Sequence, residues 1–307
     1  MVTATLRAKG LDSLDMTEVK GRSPWADARR RFLRNRAAVT SLILLVLITL
    51  YSFLGEAVAP WTHDEIDFNL IGSVAQEGMP SLSNGHYFGT DDLGRDLFAR
   101  TAQGTRISLM VGIVGTVIAV GVGTIYGAVA GYVGGRTDQI MMRIVDILFA
   151  IPFMFVLILL LVMFGRSMFM IFAGIGMLSW LGMARIVRGQ TLSLKNREYI
   201  EAARATGVPG WKIILRHIVP NLLGIVAVYS TLLVPDMIMA ESFISFLGLG
   251  VQEPLTSLGA LISEGSKAIT QGSMWQLWFP LGFFVVTLYA FYFVGDGLRD
   301  ALDPKDR

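Results

Sequence analysis

Few residues of this chain have the type and spacing to do chemistry. Cysteine is absent, which removes disulfides, thiolate metal ligands and cysteine nucleophiles. Of the three histidines, His63 and His86 lie in one polar stretch and His217 lies beyond several apolar blocks, so the three cannot form one nucleophile–base site. Asp91, Asp92 and Asp96 stand close enough to suggest a calcium loop. Their spacing does not fit an EF-hand, and no glutamate follows at the twelfth position. Ordered turns with Asp–Arg pairing are expected there instead. Asp146, Asp236, Glu241 and Asp296 flank apolar blocks. Buried acids can relay protons, but at block ends solvation is cheap, so a relay is not expected. Arg143 and Asp146, three apart, are expected to pair on one helix face. No G-x-x-x-x-G-K-[ST] loop is present, so the chain cannot bind ATP by that route.

The elements around these residues are membrane spans. Hydrophobic residues make up 53% of the chain and charged residues 16%, against about 25% charged in a soluble domain. A net charge of +2 gives no basic face for nucleic acid. The apolar residues fall in blocks at 37–55, 107–135, 147–165, 167–184, 218–235 and 268–295, the third with a helix start near Gln139. About 20 apolar residues cross a bilayer of about 30 Å, so six helical spans are expected. Barrel strands would be shorter and alternating. If the N-terminus is cytoplasmic, the inner segments hold 21 of the 26 basic residues and the outer ones 5. Both termini are therefore expected inside.

The expected organisation is a mobile cytoplasmic tail at 1–22, an amphipathic helix and first span at 23–58, an external loop at 59–104, and a core domain at 105–307. In the amphipathic stretch Trp25 and Phe32 suit the lipid interface, with Arg29, Arg30, Arg31, Arg34 and Arg36 toward anionic headgroups. Ala57, Val58 and Ala59 resemble a cleavage site, but the long region before the span and the spans after it argue against removal. In the second span Ala119, Gly123, Gly127, Gly131 and Gly135 recur every four residues. Such a ladder admits a close neighbour and puts this helix in the bundle core. The stretch at 242–250 is apolar yet too short to span. It is expected to be re-entrant or interfacial, with Phe243, Phe246 and Gly248 as a candidate external gate.

The longest inner loop, 185–220, changes character. A polar helix over 191–206 is expected to end at Gly207, Pro209 to open a second short helix over 211–217, and Pro220 to mark entry into the fifth span. On the first helix Tyr199, Ala202, Ala203 and Thr206 share one side, beside a ridge of Arg197, Glu201 and Arg204. A small-residue face of this kind suits docking into a groove on another protein.

Glu201, Ala202, Ala203, Gly207 and Pro220, at this spacing, resemble the EAA motif of bacterial ABC-importer permeases. His217 and Val219 depart from the general pattern toward its peptide branch, as RHIVPN at 216–221. FGTDDLGRDLFARTAQGTRISL at 88–109, ESFISFLGLG at 241–250 and GDGLRDALDP at 295–304 are similar to the same branch. The resemblance to the C-type permease of the peptide and nickel importer family covers about 23–305. It implies an all-α membrane protein with the type I ABC importer permease fold, and alternating access as the mechanism. It also implies that the loop at 188–220 enters a groove on an ATPase, with Glu201, Ala202, Ala203, Gly207 and Pro220 as the coupling element. Implied partners are a homologous B-type permease, two ABC ATPase subunits that bind ATP and Mg, an external peptide-binding protein and membrane lipid. The chain itself would hold no cofactor or metal and catalyse nothing. Oligopeptides, dipeptides and nickel remain open as cargo. An ion-driven secondary transporter or a channel is the alternative.

Overall fold

The structure, a computed structural model, describes residues 24–71 and 73–302. The expected tail at 1–22, Pro304 of the C-terminal block and the side chain of Trp25 lie outside what is described. The described residues form helices, with two isolated bridges and no named strand among them.

Helix α1 (Pro24–Arg34) leads into α2 (Arg36–Val58), whose first turn is capped by Asn35, its side chain accepting from the Ala38 N–H at 3.2 Å. Then follow α3 (Leu97–Val133), α4 (Gly135–Ala150), α5 (Phe153–Phe164), α6 (Met168–Leu194) and α7 (Glu198–Ala205). A continuous helix, α8 (Gly210–Phe246), is followed by α9 (Leu258–Ala268) and α10 (Trp275–Leu302). Five of these helices are long and apolar enough to span, and the pair α4 and α5, bent by 78°, makes six if it counts as one span. Six spans were expected, but the third differs in shape. Its block breaks at Ile151 and Pro152, because proline donates no hydrogen bond and disfavours helical backbone before it.

Helix α3 starts at Leu97, ahead of its apolar block, because Asp96 caps it, accepting from the Ala99 N–H at 2.7 Å. It lies in the bundle core, packed by α2, α6, α8 and α9. The glycine ladder explains the close approach of α6. A Cβ at Gly127 would stand 2.3 Å from the Ala184 carbonyl oxygen, and one at Gly131 would stand 2.7 Å from the Thr191 Cβ. Gly135 is no part of this contact. It opens α4 with φ +57° and has no neighbour within 4 Å. Near the interface, Phe32 packs beside Gly297 of α10 rather than facing only lipid.

Two corrections concern acids. Asp146 pairs with Arg185 of α6 at 2.6 Å, not with Arg143. Glu241 does not sit at a solvated span end but is 1% exposed, its carboxylate accepting from the hydroxyls of Ser108 (3.0 Å), Ser242 (3.3 Å) and Ser245 (2.6 Å). The cause is the length of α8, which runs eleven residues beyond the end of the block at Pro235. Pro235 is accommodated inside the helix. The stretch at 242–250 is therefore mainly the last turn of a span, not a re-entrant piece. The short helix beyond it is α9, seated so closely that a Cβ at Gly259 would lie 2.3 Å from the Ser242 carbonyl oxygen.

Candidate coupling site and the opposite end

The loop with the EAA-like residues is anchored from behind and open in front. Ile200 and Ala203 of α7 are buried against Ile213 and Ile218 of α8 and Val187 of α6. The helix ends in a Schellman turn: the Val208 N–H donates to Ala203 O and the Gly207 N–H to Arg204 O, both at 3.0 Å. Gly207 has φ +77° and open space around it. Its role is thus conformational, since a side chain would be strained there while meeting no obstacle. Arg204 lies over the Tyr132 ring, 4.9 Å from its centroid, and Lys195 Nζ donates to Gly131 O at 3.0 Å. Both contacts tie the loop to the end of α3. Tyr132 did not stand out in the sequence. Its only signal was its place beside the last helical glycine of the ladder.

The two alanines of the motif face opposite ways. Ala203 is buried in the core, whereas Ala202 is exposed together with Glu201, Tyr199 and Thr206. The expected face of Tyr199, Ala202, Ala203 and Thr206 is thus split, and only part of it is open to a partner. The Glu201 side chain makes no hydrogen bond or ion pair among the described residues. Trp211, 61% exposed, flanks this open face. The expected helix over 191–206 is two pieces: α6 continues to Leu194 and α7 starts at Glu198.

Pro220 does not begin a span; it lies within α8. Because Pro220 has no N–H and its ring crowds the carbonyl of Arg216, the helix widens to a π turn over Ile214–Ile218. The Val219 N–H reaches back to Ile214 O, and Asn221 Nδ2 donates to His217 O at 2.6 Å. The helix thereby passes the proline without a break.

At the other end of α8, the three candidate gate residues occupy its last turn and cap. Phe243 and Phe246 are about half exposed. Gly248, φ +75°, closes a second Schellman turn, with the Leu249 N–H donating to Ile244 O at 3.0 Å and the Gly248 N–H to Ser245 O at 2.9 Å. Arg166 then donates to Gly248 O at 3.0 Å, and Ser263 to Phe246 O at 2.9 Å.

The same end carries the Asp–Arg pairing expected at 88–96. Asp91 receives Arg95 Nε at 2.7 Å and a close contact from Arg100. Arg95 continues to Glu253 at 3.0 Å, and Arg100 to Glu264 at 2.8 Å. Burial works against the Arg95 charge, but Asp91 and Glu253 hold its pKa above the ordinary value. Asp92 accepts from Gln276 Nε2 at 3.0 Å, and Trp275 Nε1 donates to Thr90 O at 3.0 Å. His86, fully buried and stacked on Trp61, meets Asp96 at 2.9 Å. No group of three or more His, Cys, Asp or Glu able to hold a metal occurs among the described residues.

Residues 123–307, which contain the loop and all of α8, match the family described as binding-protein-dependent transport system inner membrane component. The chain belongs to this family. Residues 23–73 match the N-terminal TM domain of oligopeptide transport permease C. The oligopeptide transport system permease protein OppC of Haemophilus influenzae is 55% identical over 96% of this chain and 93% of its own length. OppC of Escherichia coli is 58% identical over 94% of each chain, and the dipeptide transport system permease protein DppC of Bacillus subtilis is 44% identical over 92% and 86%. As a member of the family the chain is a multi-pass inner membrane protein with the type I ABC permease fold.

Proposed function

We propose that this chain is the C-type permease subunit of an ATP-driven oligopeptide importer and forms half of its translocation path. Its relatives named for oligopeptide transport, which it matches over nearly its whole length, support the substrate class. The observation that carries the coupling role is the open face of Glu201 and Ala202 on a loop held from behind by buried Ile200 and Ala203 and by half-buried Tyr132. A partner ATPase pushing on that face moves α8 through its buried neighbours. The reading places the loop, α1 and the end of α10 in the cytoplasm, and the Asp91 end outside. It also requires a homologous B-type permease, two ATPase subunits that bind ATP and Mg, and an external peptide-binding protein.

Two variants test this reading. Glu201→Lys, or Gly207 replaced by a bulky residue, is expected to weaken ATPase association or uncouple hydrolysis from uptake while the fold persists. Normal coupled transport in both would count heavily against it.

Buried Glu241 is the one observation that favours an ion-driven transporter, because a buried acid is what proton coupling needs. Peptide uptake by the isolated chain in liposomes, without ATPase, would support that alternative and sink the ATP-driven one.

A further inference from the structure

Helix α8 carries an acid that neither the coupling face nor the far-end network uses. Asp236 lies ~21 Å from Leu222 and ~15 Å from Phe246 along the helix at 1.5 Å per residue, well inside the apolar length of the span. It is exposed in this chain, and the Tyr292 hydroxyl of α10 donates to its Oδ1 at 3.0 Å. The carboxylate opens on a cavity of about 540 Å³ lined by Phe153, Met154, Ser179, Leu233 and Phe243, with no cationic residue in its wall. Ser179 is itself committed, donating to Ile175 O at 2.7 Å.

A second cavity of about 500 Å³ lies toward the coupling end of the same helix, between α6 and α10. Its α8 lining includes Asn221, Ile225, Tyr229 and Leu232, and Arg299 of α10 stands in its wall, so the acid-only lining is confined to the Asp236 cavity. With Asp236 and Phe243 these residues follow one another at helical spacing, so the two cavities lie along one stripe of α8. An acid inside a span is costly against lipid and marks a water-filled path or a partner group. Here it faces a concave wall built by α5, α6 and α8, which favours the path.

We propose, resting on the peptide-import reading, that Asp236 is a cation-recognising position in the wall of the peptide path. It contacts basic side chains of the passing peptide and so biases the path toward cationic cargo. Tyr292 is the positioning residue that holds the carboxylate. One charge contact, with apolar neighbours, discriminates without trapping the cargo.

The test uses the full complex in proteoliposomes with saturating binding protein, comparing ATP-dependent uptake of trilysine and trialanine. The N-terminal ammonium common to both cancels in the ratio. Asp236→Asn is expected to lower the trilysine-to-trialanine ratio about tenfold, the change set by 1.4 kcal/mol. Asp236→Glu should restore most of it, and Tyr292→Phe should lower it about threefold, or half that free energy. An unchanged ratio in Asp236→Asn with uptake intact overturns the inference and leaves peptide import standing. Failure of Asp236→Asn to assemble, with Asp236→Glu assembling normally, assigns the residue to a subunit interface and also overturns it. Uptake of neither peptide by the wild-type complex would count against the import reading itself.

Discussion

The two ends of α8 meet loops that turn in the same way and are held in opposite ways. Each turn is a Schellman cap with a glycine at positive φ in open space, Gly207 at one end and Gly248 at the other. Around Gly248 the chain is cross-tied by polar bonds: Arg166 to the glycine carbonyl, Ser263 to Phe246, and the Asp91, Arg95, Arg100, Glu253 and Glu264 network beside them. Around Gly207 the anchoring is mainly apolar, with Arg204 on Tyr132 and Lys195 on Gly131 O as its polar ties, and the Glu201 and Ala202 side chains are left bare. A polar, many-sided lock suits a surface that must keep its shape. A face anchored only from behind suits one that must be completed by another protein.

The largest expected effect breaks the locked end. Arg100→Ala leaves Asp91 buried without its inner cation and should cost about 3–5 kcal/mol. A thermal melt of the purified chain in detergent reads this as a clear loss of stability; an unchanged melting temperature would mean the network holds nothing. Next comes the split of the two alanines. Ala203→Leu overpacks a core position and should cost about 1–3 kcal/mol, whereas Ala202→Leu should leave stability within about 0.5 kcal/mol, as surface changes do. If both melt alike, the two alanines do not face opposite ways.

Gly207→Val and Gly248→Val sharpen the comparison further. Each places a branched residue at positive φ, at a cost of about 1–2 kcal/mol. Their stability losses should match, while only Gly207→Val should abolish peptide-stimulated ATP hydrolysis by the assembled complex. Equal loss of hydrolysis in both would erase the functional distinction between the ends. The smallest effect on the fold is that of Glu201→Lys, within about 0.5 kcal/mol, with reduced ATPase retention in co-purification as its signature.

Most of the spans could be read from the sequence because apolar block length is a one-dimensional property, but the third block, broken at Pro152, could not be told from one straight span. The coupling turn could be read too, since Gly207 acts through its own backbone. Ends of helices were harder. Block counting stopped the fifth span at Pro235, just before Asp236, but the helix tolerates that proline and carries Glu241 into a pocket of serines drawn from distant segments. Ser108 is far from Glu241 in sequence, so no local pattern could announce the pair. The same holds for Arg185 with Asp146 and Arg204 with Tyr132, where each partner lies on a different helix. The pairing at 88–96 was legible where it was local, as in Asp91 with Arg95, and not where it reached Glu253 and Glu264.

The π turn at Ile214–Ile218 has a mechanical consequence. By absorbing Pro220 without a break, it makes the 37 residues of α8 one continuous helix of about 55 Å from Gly210 to Phe246. The pair α4 and α5 is bent by 78° at its elbow, whereas α8 stays helical through both Pro220 and Pro235. On the proposed coupling, a tilt imposed at Gly210 is delivered at Phe243 in the same stroke, and spin labels at Trp211 and Phe246 are expected to keep one separation throughout the transport cycle. In the importer proposed above, a lever of this kind would let the α8 wall yield at one end as it closes at the other.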